Sequence, residues 1–126
     1  MKHRGVEKFG IGTDIVKISR FKNKPYSKNQ RFYKKLFLMS EIKYCLKFKN
    51  NVIHFAGKFA IKEAVKKSIR QNVSFLDIET YYLNSKPKIK LKNNLDYNFL
   101  VSMSHENEFA MAVVISEEFM LKENNT

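Results

Sequence analysis

Phe55-Ala-Gly-Lys-Phe-Ala-Ile-Lys-Glu-Ala-Val-Lys-Lys-Ser-Ile69 has the spacing of an amphipathic helix, yet it sets Glu63 in line with Ala56, Phe59 and Ala60 rather than among its lysines. A charge tucked against small apolar side chains must be paired, metal-bound or neutralised. Phe9-Gly-Ile-Gly-Thr-Asp-Ile-Val16 reads as an apolar strand with one acid of its own, Asp14. Two acids embedded in apolar elements suit a divalent cation. Magnesium typically takes one or two carboxylates, keeps several waters and completes its shell with substrate phosphates.

Outward from the helix, the remaining elements follow from period and punctuation. Residues 8–16 form the first strand, and Arg20 to Asn29 is a polar connection containing Pro25. Gln30 to Phe48 has helical spacing, with Phe32, Leu36, Met39 and Ile42 as its inner stripe. Asn50-Asn51 breaks the pattern, and the second helix runs from about Val52 to Ile69. From Asp77 onward the period shortens: Ile78 to Leu83, Lys88 to Lys92, Phe99 to Met103 and Phe109 to Ile115 are strands. Asn84-Ser-Lys-Pro87 turns between the first two, and His105-Glu-Asn-Glu108 joins the last two. The expectation is an α+β fold, with an N-terminal strand and two main helices packed on an antiparallel sheet. Residues 117–126 read as a polar tail.

The chain has 126 residues, which predicts a single domain over 1–126. No run approaches roughly eighteen apolar residues, and Met1 to Glu7 lack the apolar stretch of a secretory signal, so a cytoplasmic location is expected. A lone cysteine, Cys45, excludes an intrachain disulfide and reads as a small hydrophobe. The formal charge of +12 favours an anionic partner without choosing among nucleic acid, lipid, phosphorylated ligands and acidic protein.

Each candidate residue also has a plainer reading. Glu63 and Lys67 lie one turn apart in the order that favours a helix ion pair, a contact contributing only about 0.3–0.5 kcal/mol. Asp14 can cap a neighbouring amide, and Gly10-x-Gly12 lacks the third glycine and following helix of a dinucleotide fingerprint. His105 sits where a strand enters a tight turn, and no cluster of histidines or cysteines accompanies it, which argues against zinc. Ser104 and His105 are adjacent on a strand and point to opposite faces, which argues against a serine hydrolase.

Three stretches in order, Gly10-Ile-Gly-Thr-Asp-Ile-Val-Lys-Ile-Ser-Arg20, Phe55 to Lys67 and Val101-Ser-Met-Ser-His105, give the chain a family likeness. It resembles holo-acyl-carrier-protein synthase, the small trimeric type of 4'-phosphopantetheinyl transferase, from about residue 8 to residue 116. The resemblance implies transfer of the 4'-phosphopantetheine arm of coenzyme A to a serine of apo-acyl carrier protein, releasing adenosine 3',5'-bisphosphate. By the same likeness Asp14 and Glu63 match the family's Mg2+ ligands, and Lys67 its phosphate-contacting lysine. Ser104 and His105 match its Ser-His motif near the coenzyme, and Lys86 and Pro87 its Gly-Lys-Pro turn. Arg20 matches an arginine that engages the carrier, and Lys58 stands at a carrier-contacting position where the family usually has arginine. A homotrimer with coenzyme sites between subunits is implied as well.

Chemistry fits those roles. A diphosphate under attack accumulates negative charge, which a metal and Lys67 stabilise by position, while Glu63 takes the serine proton as general base. The chain departs from the family pattern at Lys58, at Ser85 in place of glycine, and at Ile69-Arg-Gln-Asn-Val-Ser74, where a glycine-rich stretch is usual. The alternative from another class is a small basic nucleic-acid-binding protein, supported by charge and by Phe32, Tyr33, Tyr81 and Tyr82. It explains neither acid, so neither nucleic acid nor membrane is expected as a partner.

Overall fold

In the computed structural model, which describes residues 8–92 and 96–119, helix α4 (Asn51–Ser68) is the central element, buried along most of its length. Met1 to Glu7, and the expected polar tail from residue 120 onward, lie outside the described residues. Strand β1 (Phe9–Lys17) crosses one side of α4, and short helices α1 (Ser19–Lys22), α2 (Gln30–Lys34) and α3 (Met39–Leu46) close other sides. Strands β2 (Ile78–Leu83), β3 (Lys86–Leu91), β4 (Tyr97–His105) and β5 (Phe109–Glu118) follow. The α+β expectation is met, with two differences in arrangement.

The first difference is in the helices. The single helix expected over Gln30 to Phe48 is two, broken between Lys34 and Met39. The break turns Phe37 into the aromatic core beside Phe21, Tyr33 and Phe55, and leaves Met39, expected on the inner stripe, 48% exposed. Its cause is also visible at Glu41, whose Oε1 accepts the Leu38 N–H at 2.8 Å and so caps α3 at its new start.

The second difference is in the sheet. The strands do not form one continuous antiparallel sheet: β2 and β3 are a separate hairpin, while β4, β5 and β1 make an antiparallel sheet in the order β1-β5-β4. Leu83 pairs with Lys86, leaving Asn84 and Ser85 as a two-residue turn with φ of 54° and 65°. Left-handed backbone there explains why glycine suits the Ser85 position. Glu117 and Glu118, expected to begin the tail, are the last pairs of β5, opposite Phe9 and Tyr97.

Along β1 most of the large apolar residues face outward. Gly10, Gly12, Asp14 and Val16 point toward α4, while Phe9, Ile11 and Ile15 lie on the open face of the sheet. The inward glycines are needed because the helix comes so near: a Cβ on Gly12 would lie 2.0 Å from the Ala64 carbonyl oxygen, and one on Gly10 1.8 Å from that of Ser68.

Candidate functional site

The glycines set the register of the site. Gly10 meets Ser68 and Gly12 meets Ala64, so two strand residues, about 6.8 Å, step past four helix residues, about 6.0 Å. One further step carries Asp14 to the level of the turn from Ala60 to Glu63.

Lys67 reaches the strand acid, a contact the helix spacing did not predict. Its ammonium does not pair with Glu63 one turn away; Nζ donates to Asp14 Oδ1 at 3.2 Å and to the Thr13 carbonyl at 3.0 Å. Asp14 is 16% exposed at its side chain and Lys67 55%, which places the pair at the surface edge of the β1–α4 crossing. Glu63 is half-buried and forms no ion pair among the described residues. Asp14 and Lys67 are thus in direct contact at the β1–α4 crossing, and Glu63 lies one helical turn before Lys67 on α4.

Lys58 requires a correction. Expected at the carrier surface, it is 3% exposed, and its Nζ donates to the Thr80 carbonyl at 3.1 Å and to Thr80 Oγ1 at 3.0 Å. Tyr44 and Tyr82 flank the ammonium at 4.8 and 5.3 Å from their ring centres. Lys62, to which the sequence reading assigned no role, is fully buried as well, 2.6 Å from Glu41 Oε1 and 3.0 Å from the Leu36 and Phe75 carbonyls. Glu41 Oε2 in turn accepts the N–H and hydroxyl of Thr80, both at 2.7 Å. Burial pulls both lysines below the ordinary ammonium pKa, with the Glu41 charge opposing it. This network fastens α3, α4 and β2 together and uses the lysine face structurally.

The other expected residues occupy two further places. Lys86 and Pro87 line a cleft of about 400 Å³ between β3 and β4, with Val101 and Met103 on its far wall. Ser104 and His105 border a smaller depression with Ile15 and Met111, and the two clefts share no lining residue. His105 lies close enough to α4 to affect His54, whose pKa is lowered by burial and then by the charges of His105 and Lys58. Arg20 is exposed on α1 with its guanidinium 4.9 Å from the centre of the Phe59 ring, so the side chain is braced while its donors stay accessible. The sequence reading missed the Thr13 carbonyl as a partner of Lys67; strand-to-helix contacts of this kind leave no periodic signal.

The family model described as the 4'-phosphopantetheinyl transferase superfamily matches residues 10–114, a span that includes Asp14, Glu63, Lys67 and His105. The chain belongs to this family. Among its relatives is the holo-[acyl-carrier-protein] synthase of Caldicellulosiruptor saccharolyticus, 38% identical over 121 residues, covering 87% of this chain and 97% of the relative. That of Protochlamydia amoebophila is 36% identical over 116 residues, covering 84% and 95%. Solved structures agree. A holo-(acyl-carrier-protein) synthase from Bacillus anthracis in complex with CoA (3',5'-ADP) superposes with a TM-score of 0.75 at 30% identity, over 87% of this chain and 96% of that one. The Helicobacter pylori holo-[acyl-carrier-protein] synthase in complex with coenzyme A gives 0.72 at 33% identity, over 85% and 99%. Within the phosphopantetheinyl transferase family, the β1–α4 crossing described here is the candidate active site. No helix among the described residues is long and apolar enough to cross a membrane.

Proposed function

We propose that this chain, as one domain over residues 1–126 in the cytoplasm, transfers 4'-phosphopantetheine from coenzyme A to a serine of apo-acyl carrier protein. The observation that supports this is the Asp14–Lys67 contact at the β1–α4 crossing, with Glu63 one helical turn before Lys67, inside the span of the family match. In this reaction the serine oxygen bonds to the pantetheine-bearing phosphorus, the diphosphate bridge breaks, and adenosine 3',5'-bisphosphate leaves. The serine proton passes to Glu63, which is half-buried and has no competing ion pair among the described residues. Lys67, on a long and largely exposed stem, reaches the diphosphate and offsets the charge that builds on the departing phosphate. Lys86, at the β3 end of its cleft, offers a second cation for the coenzyme, with Pro87, Ser104 and His105 as further contacts.

Asp14 and Glu63 are the residues that would hold Mg2+. Their chemistry suits it, since magnesium needs only one or two carboxylates beside substrate phosphates. The Lys67 ammonium 3.2 Å from Asp14 Oδ1 supports this assignment, since the carboxylate already takes a positive charge as its neighbour. Bound there, magnesium would neutralise the diphosphate oxygens and align the bond to be broken. Arg20, with the +12 charge around it, is suited to an acidic carrier.

The test is the intact mass of an apo-acyl carrier protein after incubation with this protein, coenzyme A and magnesium. A gain of one phosphopantetheine group is expected with the unaltered chain and none with Asp14→Ala. A gain that survives Asp14→Ala would reject the site; no gain with several carriers would reject the reaction.

The active species is proposed to be a homotrimer. On the open face of the three-stranded sheet Ile11, Ile115 and Leu100 form a row in register, 65%, 38% and 71% exposed, flanked by Phe9, Ile15 and Met111. An apolar face of that kind marks an association surface. Association across it would also bring one subunit's Ser104 and His105 toward a neighbour, in keeping with clefts that do not converge within a single chain. Ile115→Lys places three ammonium groups in the assembled interface. Light scattering is expected to report a monomer for that variant, with transfer activity reduced at least tenfold; an unchanged trimer would exclude this face.

A further inference from the structure

Lys67 and a divalent cation have the same claim on Asp14. The ammonium is 3.2 Å from Asp14 Oδ1 and is held there by a second acceptor, the Thr13 carbonyl at 3.0 Å, so it is anchored to β1 rather than swinging free. Yet the same lysine is assigned to the diphosphate, and it cannot hold both positions. We propose that Lys67 guards the Asp14 carboxylate against divalent cations until the diphosphate of the coenzyme draws it away. Metal and coenzyme then bind synergistically, and Lys67 is the residue that couples them. This rests on the assignment of Asp14 as a metal ligand made above.

The sign of the effect is the same whether the metal displaces the ammonium or shares the carboxylate with it. Displacement removes two hydrogen bonds from Lys67; sharing leaves a monovalent and a divalent cation a few ångströms apart with only Asp14 and Glu63 to offset them. At about 5 Å in the dielectric of water that repulsion corresponds to roughly tenfold in affinity. A diphosphate between the two cations reverses the sign, because it contributes negative charge to both. Reciprocity follows: whatever factor the coenzyme adds to metal affinity, the metal adds to coenzyme affinity.

Mn2+ reports on this site without turnover. Free Mn2+ is measured by electron paramagnetic resonance while the intact oligomer is titrated with manganese chloride, with and without coenzyme A, correcting for Mn2+ held by free coenzyme. Without coenzyme, Lys67→Met is expected to bind Mn2+ about tenfold more tightly than the unaltered chain. Coenzyme should tighten Mn2+ binding to the unaltered chain and do so distinctly less in Lys67→Met. Equal or weaker binding by Lys67→Met, or an equal response of both proteins to coenzyme, overturns the proposal while leaving the metal assignment in place. Asp14→Asn is expected to lose Mn2+ binding in either background. Retention of binding in Asp14→Asn would instead overturn the metal assignment, and the guarding role with it.

Discussion

Gly12→Ala is expected to destabilise the protein by about 3 kcal/mol or more, although a methyl group in a strand ordinarily helps. Alanine is favoured over glycine in a strand interior by roughly 0.5–1 kcal/mol, because it restricts the unfolded chain. At Gly12 that gain is overwhelmed, since the new Cβ would stand 2.0 Å from the Ala64 carbonyl oxygen and 3.0 Å from the Ala64 carbonyl carbon and the Ser68 nitrogen. All of these are backbone atoms of α4, so no rotamer change relieves the clash. Strand and helix must separate, which puts the cost at or above the upper end of overpacking in well-packed cores, about 1–3 kcal/mol. Separation also withdraws Asp14 from Lys67, so activity falls with stability.

Gly57 supplies the contrast. Its added Cβ would meet the Met103 side chain, with Cε at 2.9 Å and Sδ at 3.2 Å, and methionine can move. Gly57→Ala lies in the interior of α4, where alanine is worth about 1 kcal/mol over glycine, so a change near zero is expected. Urea denaturation of the two variants measures both. Equal stability of Gly12→Ala and the unaltered chain would mean that β1 does not touch α4 as described.

How far the sequence could be read depended on where each residue's partners lie along the chain. β1, α4 and the four later strands were legible because a period of two or of 3.6 is a local property, and Asn50-Asn51 and Asn84-Ser85 are local stops. The break between α2 and α3 was not legible. The stretch contains no proline or glycine, its apolar spacing continues through the break, and the cause is tertiary: Phe37 joins the aromatic core and Glu41 reaches Lys62, 21 residues away. The burial of Lys58 and Lys62 was not legible for the same reason, since their acceptors come from Thr80 and Glu41 across the fold. Within the site, Asp14 and Glu63 stood out as acids among apolar residues, a signal each carries alone. The Asp14–Lys67 contact spans 53 positions and had no such signal. It became visible only with the register that Gly10 and Gly12 impose.

Glu63→Gln is expected to lower turnover by about 10²–10⁴-fold, the usual contribution of a positioned general base, with little change in stability. Glutamine keeps the shape and the capacity to accept a hydrogen bond, but it neither takes the serine proton nor supplies a charged ligand to magnesium. The fold has no need of the charge: Glu63 sits half-buried at the rim of α4, and among the described residues no cation pairs with it. Substitutions of that kind stay within about ±0.5 kcal/mol. Glu41→Gln is the opposite case. Glu41 is 1% exposed and balances Lys62, which is fully buried, so removing its charge leaves an unpaired buried ammonium at a cost of about 3–5 kcal/mol. The rate of phosphopantetheine transfer, followed by carrier mass, and the urea midpoint should therefore separate the two glutamates. Glu63→Gln loses the reaction and keeps the midpoint, whereas Glu41→Gln loses the midpoint and, in the fraction that remains folded, keeps the reaction. Near-normal turnover in Glu63→Gln would remove it as base and metal ligand together and leave Asp14 as the acid on which the chemistry turns.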